Sequence, residues 1–254
     1  MAIPIKSTKE ILLIKKAGII VSDCLIALKY KIKPGVTTQE LDHFVDWFLL
    51  ERGATAAQKG YKGYKFASCI SINEVACHGL PSSYRLKEGD IVTVDIVADV
   101  KGYKADSAWT YIVGEASPLT KRLVQAARKV MRAGIKKAKP GIDVSDIGEA
   151  MEAEADRLGY NIVTQFAGHG IGKNIHEPPQ VLNFKYLKSG ILLKEGMVIT
   201  VEPIVVAGRA DVYVNRQDGW SVISTYKHLS AQFEHTILIT KTGNEILTTH
   251  RRKK

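Results

Sequence analysis

Cysteine is too scarce here for a disulfide-built or zinc-stapled protein. Only Cys24, Cys69 and Cys77 occur in 254 residues. Three thiols cannot all pair within the chain, and none shows zinc-ligand spacing, so reduced thiols in a cytoplasm are expected. Long apolar runs are also missing: nothing approaches the roughly 18 residues of a membrane span. The N-terminal MAIPIKSTKE lacks the basic-then-apolar order of a secretory signal. Acidic residues are absent between Ala116 and Ile142, where eight basic residues stand. Together with a net charge of +10, that imbalance points to a polyanionic neighbour such as RNA. The remaining composition, 45% hydrophobic and 24% charged, is that of a soluble globular protein. The length suffices for a substantial core, as one large domain or two.

Two helix starts are legible. Ser7 with Glu10, and Thr37 with Glu40, have the spacing of capping boxes. Leu41, Phe44, Val45, Phe48 and Leu49 then follow the pattern of a buried helical face, which Arg52-Gly53 closes. The β-branched run IVTVDIVAD (91–99), the turn at Gly102 and the following YKADSAWTYIV predict a β-hairpin. Leu119, Leu123, Ala126, Ala127, Val130, Gly134, Ile135 and Ala138 recur at helical spacing, which makes the basic stretch an amphipathic helix over 121–139 with a basic outer face.

The chain also repeats itself. KPGVTTQEL at Lys33 returns as KPGIDVSDI at Lys139, and LKEGDIVTVD at Leu86 returns as LKEGMVITVE at Leu193. The unit is too long for a solenoid, so two related halves about a pseudo-twofold axis are expected. The repeat pairs Asp95 with Glu202, a carboxylate in the corresponding place of each half. Asp106 follows on the return strand of the first hairpin and Glu234 on the apolar return strand AQFEHTILIT of the second. Buried carboxylates without partners cost several kcal/mol each, so a compensating cation is expected. Four carboxylates with His169, from GHGIGKNIHEPP, suit two divalent ions. Ions roughly 3.5–4 Å apart generate a bridging hydroxide and polarise a scissile carbonyl.

These motifs (CISINEVACHG, VDIVADVKGYKADSAWTY, GHGIGKNIHEPP, MVITVEPIV and QFEHT) resemble those of the type I bacterial methionine aminopeptidases, over about residues 5–248. The resemblance implies the α/β (α+β) pita-bread fold, antiparallel sheets covered by helices, in a single catalytic domain over 1–254 with halves roughly 5–115 and 116–248. It implies removal of the initiator methionine before a small second residue. By position, Asp95, Asp106, His169, Glu202 and Glu234 match the family's metal ligands, with Asp106 and Glu234 bridging and Glu202 also shuttling protons. His78 and His176 match histidines that act on the substrate amide. Tyr61, Tyr64, Cys69 and Trp220 match the methionine pocket, and Asn73, Val75 and Ser230 a monovalent-cation site. The metal could be cobalt, manganese, iron or zinc. Ala105, Ile175 and Gln58 depart from the commonest family pattern without removing a ligand.

The remaining expectations are a monomer acting on nascent chains, and docking on ribosomal RNA through the basic helix, with the Arg251–Lys254 tail alongside it. His43, His228, His235 and His250 read as surface or structural, His235 facing away from Glu234. Asp99 reads as a solvated turn acid. A proline-specific aminopeptidase or prolidase of the same fold is the nearest alternative, although those enzymes usually carry an additional N-terminal domain. A non-catalytic ribosome- or RNA-binding relative is a third reading, but it would be expected to have lost ligands that this chain keeps.

Overall fold

The computed structural model describes residues 3–249; His250 and the Arg251–Lys254 tail lie outside the described residues. Helix α1 (Thr8–Leu28) starts at Ser7, whose hydroxyl accepts from Glu10 N while the Glu10 carboxylate accepts from Ser7 N. Helix α2 (Thr38–Leu50) repeats the device with Thr37 and Glu40. Each box satisfies backbone donors that a helix start leaves open.

Strands β1 (Thr55–Ala56), β2 (Cys69–Ile72) and β3 (Val75–Cys77) precede the expected hairpin. Its arms are β4 (Ile91–Val100) and β5 (Tyr103–Ile112), paired along their whole length across Lys101-Gly102. Both turn residues have positive φ, 52 and 84, the geometry that suits the twist of a two-residue hairpin. Asp99 lies at that turn, accepting from Gly102 N at 2.7 Å and pairing with Lys104 at 2.7 Å. β1 and β2 pair with β4 along its other edge. Helices α1 and α2 cover this sheet, with Ile14, Val21, Leu25 and Leu41 in one core with Val92, Val94 and Ile96. The alternate residues Asp95 and Val97 therefore face the opposite side.

Helices α3 (Pro118–Lys137) and α4 (Ser145–Leu158) follow, then β6 (Asn161–Ile162), β7 (Ala167–Gly170), β8 (Glu177–Leu182) and β9 (Val198–Val201). The last six strands are β10 (Ile204–Val206), β11 (Val212–Val214), β12 (Val222–Ser224), β13 (Ser230–Gln232), β14 (His235–Ile239) and β15 (Asn244–Ile246). A five-stranded antiparallel sheet runs β15-β14-β9-β7-β8, while β13-β10-β6 and β11-β12-β3 are smaller sheets. Leu123, Val130, Met131, Ile147 and Met151 of α3 and α4 share a second core with Ile199, Val201, Ile237 and Ile239. Thr200 and Thr236 are thereby left on the other face, on the side of Glu202 and Glu234.

Two expectations need correction. Glu234 is not within a strand: it occupies the break between β13 and β14. The chain changes sheets there, and Glu234 N donates to Ala108 O of β5 at 2.8 Å. Leu119 does not join the buried stripe of α3 but is 69% exposed. It sits in the first turn, where the Ser117 cap rather than packing fixes the helix start.

The edge of β5 is stitched to residues 232–236. Ser107 Oγ donates to Glu234 O at 2.6 Å and Thr110 Oγ1 to Gln232 O at 2.7 Å. Thr236 Oγ1 accepts from Asp106 N at 2.9 Å and donates to Asp106 O at 2.8 Å. This seam sets the two sheets edge to edge, with their carboxylates on one side. Among the described residues no helix is long and apolar enough to cross a membrane.

Candidate active site and metal centre

A cavity of about 230 Å³ lies on the carboxylate side of the seam. Asp95, Asp106, His169, Glu202 and Glu234 all line it, as do His78, His176, Tyr61, Tyr64, Cys69 and Trp220. Ligand atoms of Asp106, His169 and Glu234 lie within 4.8 Å of one another, and all three residues are buried. Asp106 Oδ1 and Glu234 Oε1 have no hydrogen-bond partner. Such orphaned acceptors are costly unless a cation meets them.

The electrostatics say the same. Burial pushes Asp95 up to about 6, although a hydrogen bond with Asp106 draws it partly back. Burial and then repulsion from Asp95 and Glu202 hold Asp106 well above the usual carboxylate range. Glu234 is raised likewise, by burial first and by Asp106 next. Glu202 rises to about 8 through burial, against the Thr200 hydroxyl that donates to it at 2.6 Å. Four acids crowded out of water repel one another, and divalent cations relieve that strain. The donor set, four carboxylates and one imidazole, fits hard or borderline divalent ions.

His169 is prepared for such a role. Its Nδ1 lies 2.9 Å from Gly170 O, so the proton sits on Nδ1 and the Nε2 lone pair faces the acids. Nε2 lies 3.4 Å from Glu202 Oε1. Burial lowers its pKa to about 4, keeping the ring neutral as a metal ligand must be. The flanking glycines are dictated by close packing. A Cβ at Gly168 would stand 2.6 Å from Thr200 O, and one at Gly170 2.3 Å from Pro178 O.

His176 and His78 stand outside the tight cluster. Tyr61 OH meets His176 Nδ1 at 2.9 Å, which orients the ring and leaves Nε2 for the cavity. Its ring centroid lies 4.3 Å from that of His169. His78 packs edge-on against Phe166 at 5.3 Å and has a φ of 54, a left-handed backbone rare outside glycine and frequent where function holds strain. Burial and then His176 lower the His78 pKa to about 4, and burial lowers that of His176. Both rings are therefore neutral near pH 7 and able to donate a hydrogen bond.

Tyr64, Cys69 and Trp220 form one wall. The Tyr64 and Trp220 rings meet edge to face at 4.9 Å, and Cys69 pairs across strands with Asp95. Burial pushes the Cys69 thiol well up, so it packs rather than reacts. Gln58 binds this wall to the acids. Its Nε2 approaches Asp95 Oδ1 at 3.4 Å and Cys69 Sγ at 3.5 Å, and its Oε1 accepts from Val97 N at 3.2 Å. Elsewhere, Ser230 Oγ donates to Asn73 O at 3.1 Å and to Val75 O at 3.2 Å.

Sequence reasoning missed Thr200 and Thr236. Thr200 Oγ1 accepts from His169 N at 3.0 Å while donating to Glu202, tying two ring members together. Its signal was in the repeat itself: threonine stands two residues before the acid in both TVD and TVE. Nothing local marks Thr236, whose partners come from β5. His235, beside Glu234, lines a different cleft, and its Nδ1 lies 2.8 Å from Thr248 Oγ1.

Comparison with known proteins agrees with this geometry. The profile of metallopeptidase family M24 matches residues 13–241. The chain is 40% identical over 248 residues to the methionine aminopeptidase of Rickettsia prowazekii (strain Madrid E), covering 98% of this chain and 96% of the relative. It is 40% identical over 244 residues to methionine aminopeptidase 1 of Bacillus subtilis (strain 168), covering 96% and 98%. A methionine aminopeptidase structure from Thermotoga maritima superposes with a TM-score of 0.96 at 40% identity, covering 98% of this chain and 100% of that one. A prolidase from Pyrococcus horikoshii OT3 gives 0.78 at 28% identity, covering 98% of this chain and 64% of that one. These share the pita-bread architecture, and the agreement along nearly the full length makes the chain a member of metallopeptidase family M24, in its methionine aminopeptidase branch.

Proposed function

We propose that this protein removes the initiator methionine from newly made polypeptides whose second residue is small. The observation that carries the reading is the cluster of buried, mutually repelling carboxylates with orphaned oxygens, beside a pocket walled by Tyr64, Cys69 and Trp220. Asp95, Asp106, His169, Glu202 and Glu234 would hold two divalent ions. When bound, such ions polarise the scissile carbonyl and activate water. The chain's own groups supply the rest. Neutral His176, oriented by Tyr61, donates to the carbonyl oxygen as charge develops on it. Neutral His78 hydrogen-bonds the scissile amide. Glu202 takes a proton from the attacking water and returns it to the leaving nitrogen. The aromatic wall accepts a flexible thioether.

The two halves, 5–115 and 116–248, are read as an internal duplication within one domain, supported by the order helix, helix, strand pair on each side of residue 115. Asn73, with the backbone of Val75 and Ser230, is the proposed site of a monovalent cation. A monomer in a reducing cytoplasm suits three free, buried thiols. Docking on ribosomal RNA falls to the outer face of α3. Because Arg128 and Arg132 line a cleft toward α1, the test reverses Lys129, Lys136 and Lys137 to Glu. Ribosome co-sedimentation should then weaken, as it should with rising salt.

One assay separates the readings. Hydrolysis of Met-Ala-Ser by the metal-loaded enzyme, with Ala-Pro and Met-Lys-Ser nearly inert, is the expected result. Preference for the proline bond would replace this reading with a prolidase. Inactivity on every peptide, with metal bound, would favour a binding protein.

A further inference from the structure

A second concave site lies behind the sheet that carries the carboxylates. It is a cleft of about 370 Å³ between α1 and α3, lined from the sheet by Trp109, Phe233 and His235. Glu234 lines the metal-centre cavity, whereas its chain neighbours Phe233 and His235 line this cleft. Arg128 and Arg132 stand on its α3 wall, one helical turn apart. Among the described residues, no acidic side chain lines the cleft. Arg128 lies over the Phe233 ring, 5.8 Å from its centroid. Burial, and then Arg132, make its charge less favourable. On the α1 wall, Ser22 is 1% exposed and its hydroxyl has no hydrogen-bond partner.

Like charges one turn apart repel, and a cleft with apolar walls concentrates their field. An anion relieves both. Two guanidinium forks supply more donors, and more charge, than one carboxylate can use; a doubly charged phosphate with three terminal oxygens suits them better. The remaining walls, Trp109, Phe233, Met131 and Ile26, are apolar, and the volume falls within the range of small-ligand sites. We propose that the α1–α3 cleft binds a phosphate monoester on an aromatic body, with the phosphate between Arg128 and Arg132 and the body against Trp109 and Phe233.

Calorimetric titration of the metal-loaded enzyme tests this, with phenyl phosphate and inorganic phosphate as probes. Phenyl phosphate should bind roughly ten-fold more tightly, because its ring leaves water. Both should lose binding in the Arg128→Gln/Arg132→Gln variant. Filling the cleft with Ile26→Trp, which leaves both charges in place, should weaken phenyl phosphate as well. Equal affinity for the two probes overturns the proposal. So does binding that survives the double variant, which would place the phosphate at the metal centre. A mononucleotide titrated beside a short single-stranded RNA distinguishes a terminal monoester from a diester: tighter binding of the mononucleotide is expected, and preference for RNA overturns the monoester assignment.

Discussion

Asp95 and Asp106 come from one uninterrupted hairpin, whereas Glu202 and Glu234 are gathered from the ends of two strands separated by β10–β13. In the first pair the acids sit inside a ten-residue ladder, Asp95 opposite Ala108 and Asp106 opposite Val97. In the second, His235 pairs with Val201, so Glu202 and Glu234 face each other one step beyond the ladder. The first pair is built by local pairing alone. The second needs the seam, where Ser107, Ala108 and Thr236 bind the returning chain. The excursion between its acids is what brings Trp220 to the site. A carboxylate pair can thus be placed by short-range structure, but the pocket around it requires a long loop and a partner sheet.

The sharpest test of this contrast exchanges one acid from each pair. Asp106→Asn and Glu234→Gln should fall together, losing both metals and activity on the order of 10³-fold or more, because the Lewis acid supplies several kcal/mol. Asp95→Asn and Glu202→Gln should retain one ion in elemental analysis. Loss of a single ion from Glu234→Gln alone would break the equivalence of the two pairs. The histidines come next. His176→Ala should lower kcat by roughly 10²-fold with metal content kept, while His169→Ala should lose metal. Equal metal loss in both would remove the distinction between ligand and substrate histidine.

A smaller effect separates the repeat-related threonines. Thr200→Val removes a donor from Glu202 and an acceptor from His169, and should weaken metal binding roughly ten-fold. Thr93 bonds Thr110 at 2.8 Å rather than an acid, so Thr93→Val should cost about 1–3 kcal/mol of stability and leave metal affinity unchanged. Similar affinities in the two variants would deny the second pair its extra support.

The smallest effect is the pH dependence of the metal-free protein. The acids have folded pKa values raised above their unfolded ones, Asp95 to about 6 and Glu202 to about 8. Below about pH 6.5 the buried histidines, with His78, His169 and His235 lowered to about 4, oppose this, so the folded state holds more protons than the unfolded one between about pH 6.5 and 8. The acids' contribution is fully present below the unfolded carboxylate range and is lost as pH rises through the folded values. Thermal scans should show Tm falling by a few degrees over that window, and divalent metal should abolish the fall. A Tm rising over the same window without metal would show that the acids do not crowd one another.

Much of this was legible in one dimension. Capping residues, the β4–β5 hairpin and the repeat are recorded locally, because helix starts and hairpin turns depend on neighbours a few residues away. The repeat pointed at Asp95 and Glu202, the return strands added Asp106 and Glu234, His169 joined them from GHGIGKNIHEPP, and resemblance matched the set to metal ligands. What the sequence alone could not settle is contact made across the seam. Glu234 looks like a strand residue until the chain is seen to change sheets beside Ala108. Thr236 looks like one more β-branched residue until Asp106 closes on it. Gln58 reads as an exception until its amide is found between Asp95 and Cys69. Arg128 and Arg132 read as part of an RNA-docking face until α1 closes a cleft against them. Periodicity reports which face of an element is buried, but only tertiary packing decides what that face meets.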